Sequence, residues 1–194
     1  TPRLNRLAHY LGDPPSAAGA YWCMRGVFTP AESVRLTRHF LGDGCAAVPD
    51  EARHFAVPRQ PTMEDTVSYL ELTRYMRNQL LRDSDVMSMA SGLELRVPLV
   101  DTGLFSAIRG LPSSDRYQPN KKLLLSAVPE VPEYVWNHPK KGFTLPVDRW
   151  MRGQWRDLFA DVHRRFPFTL VKPSYRLWSL KTLSHWLEKH GFSN

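Results

Sequence analysis

Cysteine is scarce in this 194-residue chain. The two present, Cys23 and Cys45, have no metal-ligand spacing and are too few for a disulfide framework. A reducing, cytoplasmic setting fits that usage best. No apolar run approaches the roughly 18 residues that a bilayer-spanning helix requires. No apolar stretch follows a basic start either, so neither a membrane segment nor a secretory leader is expected. The familiar catalytic signatures are absent: no glycine-rich phosphate loop, no His-Glu-x-x-His pair, no Gly-x-Ser-x-Gly elbow. Strand signals are sparse, and the one β-type run, Leu95 to Val100, is isolated and carries Pro98. No repeat or low-complexity tract occurs. These absences leave a mainly α-helical chain with no self-evident chemistry.

What is present suits a folded domain. Hydrophobic residues make up 42% of the chain, enough for a core, and the formal net charge is +7. A basic balance permits a phosphate-bearing partner, but the cations are dispersed along amphipathic segments, where solvated surface is their ordinary fate. The spacing of Leu4, Leu7, Ala8 and Leu11 predicts a first helix, and residues 17–24 predict a second. Thr29-Pro30-Ala31-Glu32 predicts a capping box that opens a helix running to Leu41 and stopping at Gly42. Residues 46–61 read as a polar, proline-bearing connection. Thr62, with Glu64 and Asp65 behind it, predicts the start of a long helix whose inward stripe is Tyr69, Leu72, Met76 and Leu80. A separate helix follows over 83–90, closed by Gly92. Short helices are expected over 102–110, 121–128, 148–151 and 155–162, with 111–119 and the proline-punctuated 129–146 as loop. An amphipathic helix over 176–190 carries Trp178 and Trp186. As a single domain over 1–194, the chain divides into a helical lead-in (1–60) and a main helical core with a lysine loop (61–194).

Two stretches carry the chemistry. From Leu80 to Asp101 the chain reads LLRDSDVMSMASGLELRVPLVD, with Glu94 and Arg96 two apart inside an apolar run. Charges in such surroundings must be paired or hydrogen-bonded if buried. Spacing alone favours a structural ion pair, or an acid holding a loop. The second stretch is Pro139-Lys140-Lys141-Gly142-Phe143, where glycine lets the backbone approach an anion and lysine supplies a point charge suited to polyphosphate. Spacing alone favours a solvated basic loop there. Lys121 and Lys122 open a helix, against the dipole preference for anions at that end, which hints at an anion nearby.

Taken in order, these blocks resemble the glutamine-hydrolysing asparagine synthetase family, in the C-terminal part of its synthetase domain. The matching residues are Leu80, Leu81, Asp85, Ser88, Met89, Ala90, Glu94, Arg96, Pro98 and Asp101. Lys121, Leu123 and Leu124 match the next block. Pro139, Lys140, Gly142 and Phe143 match the lysine loop, and Pro146 and Trp150 the helix after it. The likeness runs from about Tyr21 to the end. It implies an irregular helical bundle, the C-terminal helical part of an α/β adenylating domain without its nucleotide-binding parallel sheet. It implies asparagine synthesis from aspartate, ATP and glutamine-derived ammonia through a β-aspartyl-adenylate, with magnesium on the phosphates. Lys140 and Lys121 would serve catalysis and, with Lys141, hold phosphate. Asp85, Glu94, Arg96 and Asp101 would brace the site, with no metal ligand among them.

The family's N-terminal cysteine nucleophile and its Ser-Gly-Gly-x-Asp-Ser loop are not in this sequence, which opens on Thr1 without methionine. A piece of a longer protein is therefore expected. Its partners would be the upstream nucleotide-binding half, a glutaminase domain, small-molecule substrates and a second copy in a homodimer, with no membrane or nucleic acid among them. Alone, it is expected to bind neither ATP nor magnesium and to form no amide. The pattern departs from the family at Asp83, Leu125 and His138, each time with less positive charge. Two other readings remain open: a non-catalytic basic helical module binding protein or nucleic acid, and an amidotransferase relative acting on a peptide or sugar acid.

Overall fold

Helix boundaries follow from the capping chemistry the sequence supplies. In the computed structural model, which describes residues 2–42, 55–139, 145–166 and 172–192, α1 spans Pro2–Gly12, α2 Ala17–Arg25 and α3 Pro30–Leu41. Ser16 caps α2 by accepting from the Gly19 N–H. Thr29 and Glu32 close the expected capping box on α3: the Glu32 N–H donates to Thr29 Oγ1 at 3.2 Å, and the Thr29 N–H donates to Glu32 Oε2 at 2.7 Å. Gly42, at φ 84°, takes the left-handed turn beyond α3 that a side chain would resist.

The described residues are helical and contain no strand, as expected. They fall into two compact units, one of Thr1–Ala56 with Gly142–Asn194, the other of Val57–Lys141. The first unit holds α1 to α3, then α10 (Val147–Arg152), α11 (Arg156–Arg165) and α12 (Ser174–Lys189). Its core is a cluster of Leu36, Met151, Phe159, Val162, Phe166, Leu177 and Leu180, with Phe28, Phe40, Val147 and Trp155 packed on its edge. On α12 the buried positions Leu177, Leu180, Ser184 and Leu187 recur at steps of three and four. Trp178 and Trp186 stand off that stripe and are exposed.

One charged side chain crosses this core. Arg176, 1% exposed, grips the two oxygens of Glu32 with both terminal nitrogens at 2.9 Å. Its Nε donates to the Val27 carbonyl at 3.1 Å, and its guanidinium lies 4.8 Å from the Phe28 ring centre. Burial pushes the Glu32 carboxyl up, but the bonds from Arg176 and the Thr29 N–H outweigh it, so its pKa lies below the usual value.

The second unit begins with α4 (Met63–Leu70), capped by Thr62 as expected. Contrary to expectation, no break precedes the next helix. A π-helical segment, Glu71–Leu81, joins α4 directly to α5 (Arg82–Met89). Its wider, i-to-i+5 turns rotate the side chains off the 3.6-residue stripe. Tyr69, Leu72 and Met76 are only half-buried, and Leu80 is exposed. Gly92, at φ 67°, does end the run, with the Leu93 N–H donating to the Ser88 carbonyl. Then come α6 (Thr102–Arg109), α7 (Ser113–Arg116), a 3-10 turn (Pro119–Lys121), α8 (Lys122–Ser126) and α9 (Glu133–Trp136). α7 and α9 are single turns inside stretches expected to be loop. Each starts after a proline, Pro112 or Pro132, whose preset backbone favours a helical turn behind it.

These contacts set expected stabilities. Replacing Glu32 by alanine strands a buried guanidinium and is expected to cost about 3 kcal/mol in urea unfolding at neutral pH. A Glu32→Met, Arg176→Met pair, which removes both charges, should cost less than that single change. Because the folded Glu32 pKa is lowered, the pair's contribution is present above the ordinary carboxylate range and is lost as pH falls through the folded value. The gap between wild type and Glu32→Ala should therefore narrow in acid. Leu180→Ala, at a site 0% exposed, should cost about 3 kcal/mol, whereas Leu99→Ala should stay within about 0.5 kcal/mol.

Candidate functional site

Every described residue assigned to the site lies in the second unit. Asp85 is in the first turn of α5, inside the continuous helical run from α4, and its backbone carbonyl accepts from Ser88 Oγ at 3.1 Å. Glu94 and Arg96 form the expected ion pair, Oε1 to Nη2 at 2.7 Å. Asp101 is an acid holding a loop: its Oδ1 accepts from the Leu104 N–H at 2.8 Å and caps α6.

The expected burial of this block is not found. Glu94 and Arg96 are both exposed, so the pair sits in solvent and contributes little to stability. Its apolar neighbours are exposed too: Val86, Met87 (71%), Met89, Leu93, Leu95, Val97, Leu99 and Val100. The run reads as core because its side chains are apolar. It is outside because nothing described in its own unit covers it. A stretch that exposes this many apolar side chains is the mark of an interaction surface.

Lys121 has the most distinctive backbone of the group. It caps α8 at φ 58°, ψ 34°, directly after Asn120 at φ 56°. Two consecutive non-glycine residues in the left-handed region store strain of about 1 kcal/mol or more each. The Lys121 side chain is exposed, and no carboxylate of the described residues pairs with it. Neither hydrogen bond nor ion pair joins it to Asp85, Glu94, Arg96 or Asp101. Lys140 and Lys141 lie outside the described residues, as does most of the connection over 46–61. Pro139 and His138, which lead into the lysines, are described and exposed, with His138 Nδ1 3.0 Å from the Pro139 carbonyl oxygen.

Sequence reasoning missed a polar cluster in the same unit. Asp65, buried at the start of α4, accepts from Arg116 Nη2 at 2.7 Å, Tyr117 Oη at 3.2 Å and Thr62 Oγ1 at 3.0 Å. Arg116 also donates from Nε to the Leu111 carbonyl at 2.8 Å. Burial pushes the Asp65 carboxyl up, and the bonds from Arg116, Thr62 and Tyr117 more than reverse this, leaving it ionised below its usual range. The cap role of Thr62 was the only local signal; a partner 51 residues away leaves none. The cluster pins α4 to α7, and through it the turn that leads to Lys121. Among the described residues, no three His, Cys, Asp or Glu side chains converge as a metal site, and no helix is long and apolar enough to cross a membrane.

Comparison with known proteins agrees with the motif blocks. The asparagine synthase family model matches residues 10–188. Asparagine synthetase (glutamine-hydrolyzing) 1 of Bacillus subtilis is 33% identical over 99 residues, covering 50% of this chain and 16% of that protein. A putative asparagine synthetase (glutamine-hydrolyzing) of Mycobacterium bovis is 33% identical over 89 residues, covering 44% of this chain and 14% of its own length. The chain thus matches under a fifth of the length of these curated relatives. No solved structure gives a significant match. With the family model spanning residues 10–188, nearly the whole sequence, the chain belongs to the asparagine synthase family.

Proposed function

We propose that this chain is the C-terminal helical part of an ATP-dependent amide-forming ligase that makes asparagine from aspartate and glutamine-derived ammonia through a β-aspartyl-adenylate. The family match over residues 10–188 is the observation that carries the reading. Lys121 supports it independently: a strained, exposed lysine with no carboxylate partner among the described residues is held where charge alone would not place it. Lys140 and Lys121, with Lys141 beside them, bind the phosphates and stabilise the charge that develops as pyrophosphate leaves. Asp85, Glu94, Arg96 and Asp101 hold the loop and helix ends around them.

Lysine ammonium groups fit phosphate, and Lys121 is exposed, but they are no ligands for a divalent metal. Magnesium would be carried on the phosphates, neutralising their charge, with its protein ligands from outside the described residues. The exposed apolar run from Val86 to Val100 supports docking against an upstream nucleotide-binding half in the longer protein. A glutaminase domain would supply the ammonia. The chain alone would form no amide.

In the longer protein, Lys140→Ala and Lys121→Ala are each expected to lower aspartate-dependent pyrophosphate release by about 100-fold or more. Unchanged release in both would overturn the assignment of the lysines. Lys121→Gly is the sharper variant. It removes the charge while relieving the left-handed strain, so activity should fall as thermal stability holds or rises.

A further inference from the structure

We propose that the cleft between α1 and α2 is a binding site for a small carboxylate, seated against Arg6 and Trp22. Arg6 is 6% exposed and lines a cavity of about 30 Å³ together with His9, Tyr10, Asp13, Trp22 and Cys23. Its Nε donates to the Cys23 carbonyl at 2.8 Å, which fixes the guanidinium plane. Its Nη1 is buried and has no acceptor among the described residues, and the same holds for the Trp22 indole Nε1. Two N–H donors, one of them cationic, therefore belong to side chains on one small cavity without an oxygen to receive them. Buried donors without acceptors are rare in folded proteins, and a buried guanidinium without a carboxylate rarer still.

The one acid on the cavity wall does not fill the role. Asp13 is held by His9, Nδ1 to Oδ2 at 3.3 Å. One water fills roughly 10–15 Å³ of such space, so the cavity has room for a group of more than one heavy atom. A carboxylate presents two oxygens in the spacing that a guanidinium fork matches. Gly19 keeps the wall open on the α2 side: a Cβ there would come 3.3 Å from the Tyr10 ring and 3.0 Å from Ser16 Oγ. None of its residues is among those assigned to phosphate, and its test does not depend on the lysines.

Sodium acetate, titrated at constant ionic strength into the ¹⁵N-labelled full chain, tests the proposal. The Trp22 indole N–H resonance, assigned by its loss in Trp22→Phe, is expected to shift saturably, while sodium chloride leaves it in place. Arg6→Gln is expected to weaken acetate at least about tenfold, as the loss of one charge-assisted hydrogen bond requires. Should Arg6→Gln fail to fold, Trp22→Phe serves, followed by the Gly19 and Cys23 amide resonances, with the same weakening expected. Lys189→Ala, on α12, should leave the affinity unchanged. A Trp22 resonance that does not respond to acetate, or an equal response in wild type and Arg6→Gln, would overturn the site and leave the two donors to ordered water.

Discussion

The fold of the first unit depends on neutralising the cation buried deepest in its core. Arg176 stands on α12 inside the apolar cluster, and its charge is tolerable there only because Glu32 meets it with both oxygens. The geometry of α3 serves that pairing. Glu32 is placed by its own capping box, so one carboxylate closes the helix start and receives the guanidinium. The Val27 carbonyl and the Phe28 ring complete the enclosure from the turn before α3. A second pair, Lys181 to Asp161 at 3.2 Å, ties α12 to α11 nearer the surface. Sequence positions 144 residues apart are thereby joined in one layer.

The two units handle polar groups differently. The first buries an apolar cluster and threads one ion pair through it. The second buries only Asp65 and Leu70 among its described residues and relies on the Asp65, Arg116, Tyr117 and Thr62 network. Its apolar side chains face outward over the stretch that most resembles the synthetase family. A segment that docks on other protein in the longer chain, as proposed, would keep the composition of a core while lacking one of its own. That would account for both the strong motif match and the exposure.

Local chemistry was legible in the sequence, and long-range chemistry was not. Thr29, Glu32, Thr62, Gly42 and Gly92 announced helix ends because capping involves residues three or four apart. The Glu94–Arg96 pair was readable because its partners stand only two residues apart. The π-helical junction was missed because its apolar spacing imitates an α-helical stripe while its hydrogen bonds step differently. The burial of Arg176 left no signal of its own, since nothing near it in the chain reveals a carboxylate 144 residues away. The left-handed turn at Asn120 and Lys121 carried no glycine to mark it.

The discontinuity of the first unit has a consequence for synthesis. Glu32 and the start of α3 leave the ribosome long before Arg176 does. At roughly 5–20 residues per second, on the order of ten seconds separate them. During that interval the apolar faces of α1 to α3 have no α11 or α12 to cover them, while the whole of the second unit is made. The early helices must wait, either held by a chaperone or packed on each other through the nine-residue α2 and its neighbour. The nascent chain is therefore open to misassociation throughout the interval before the arginine that closes this core arrives.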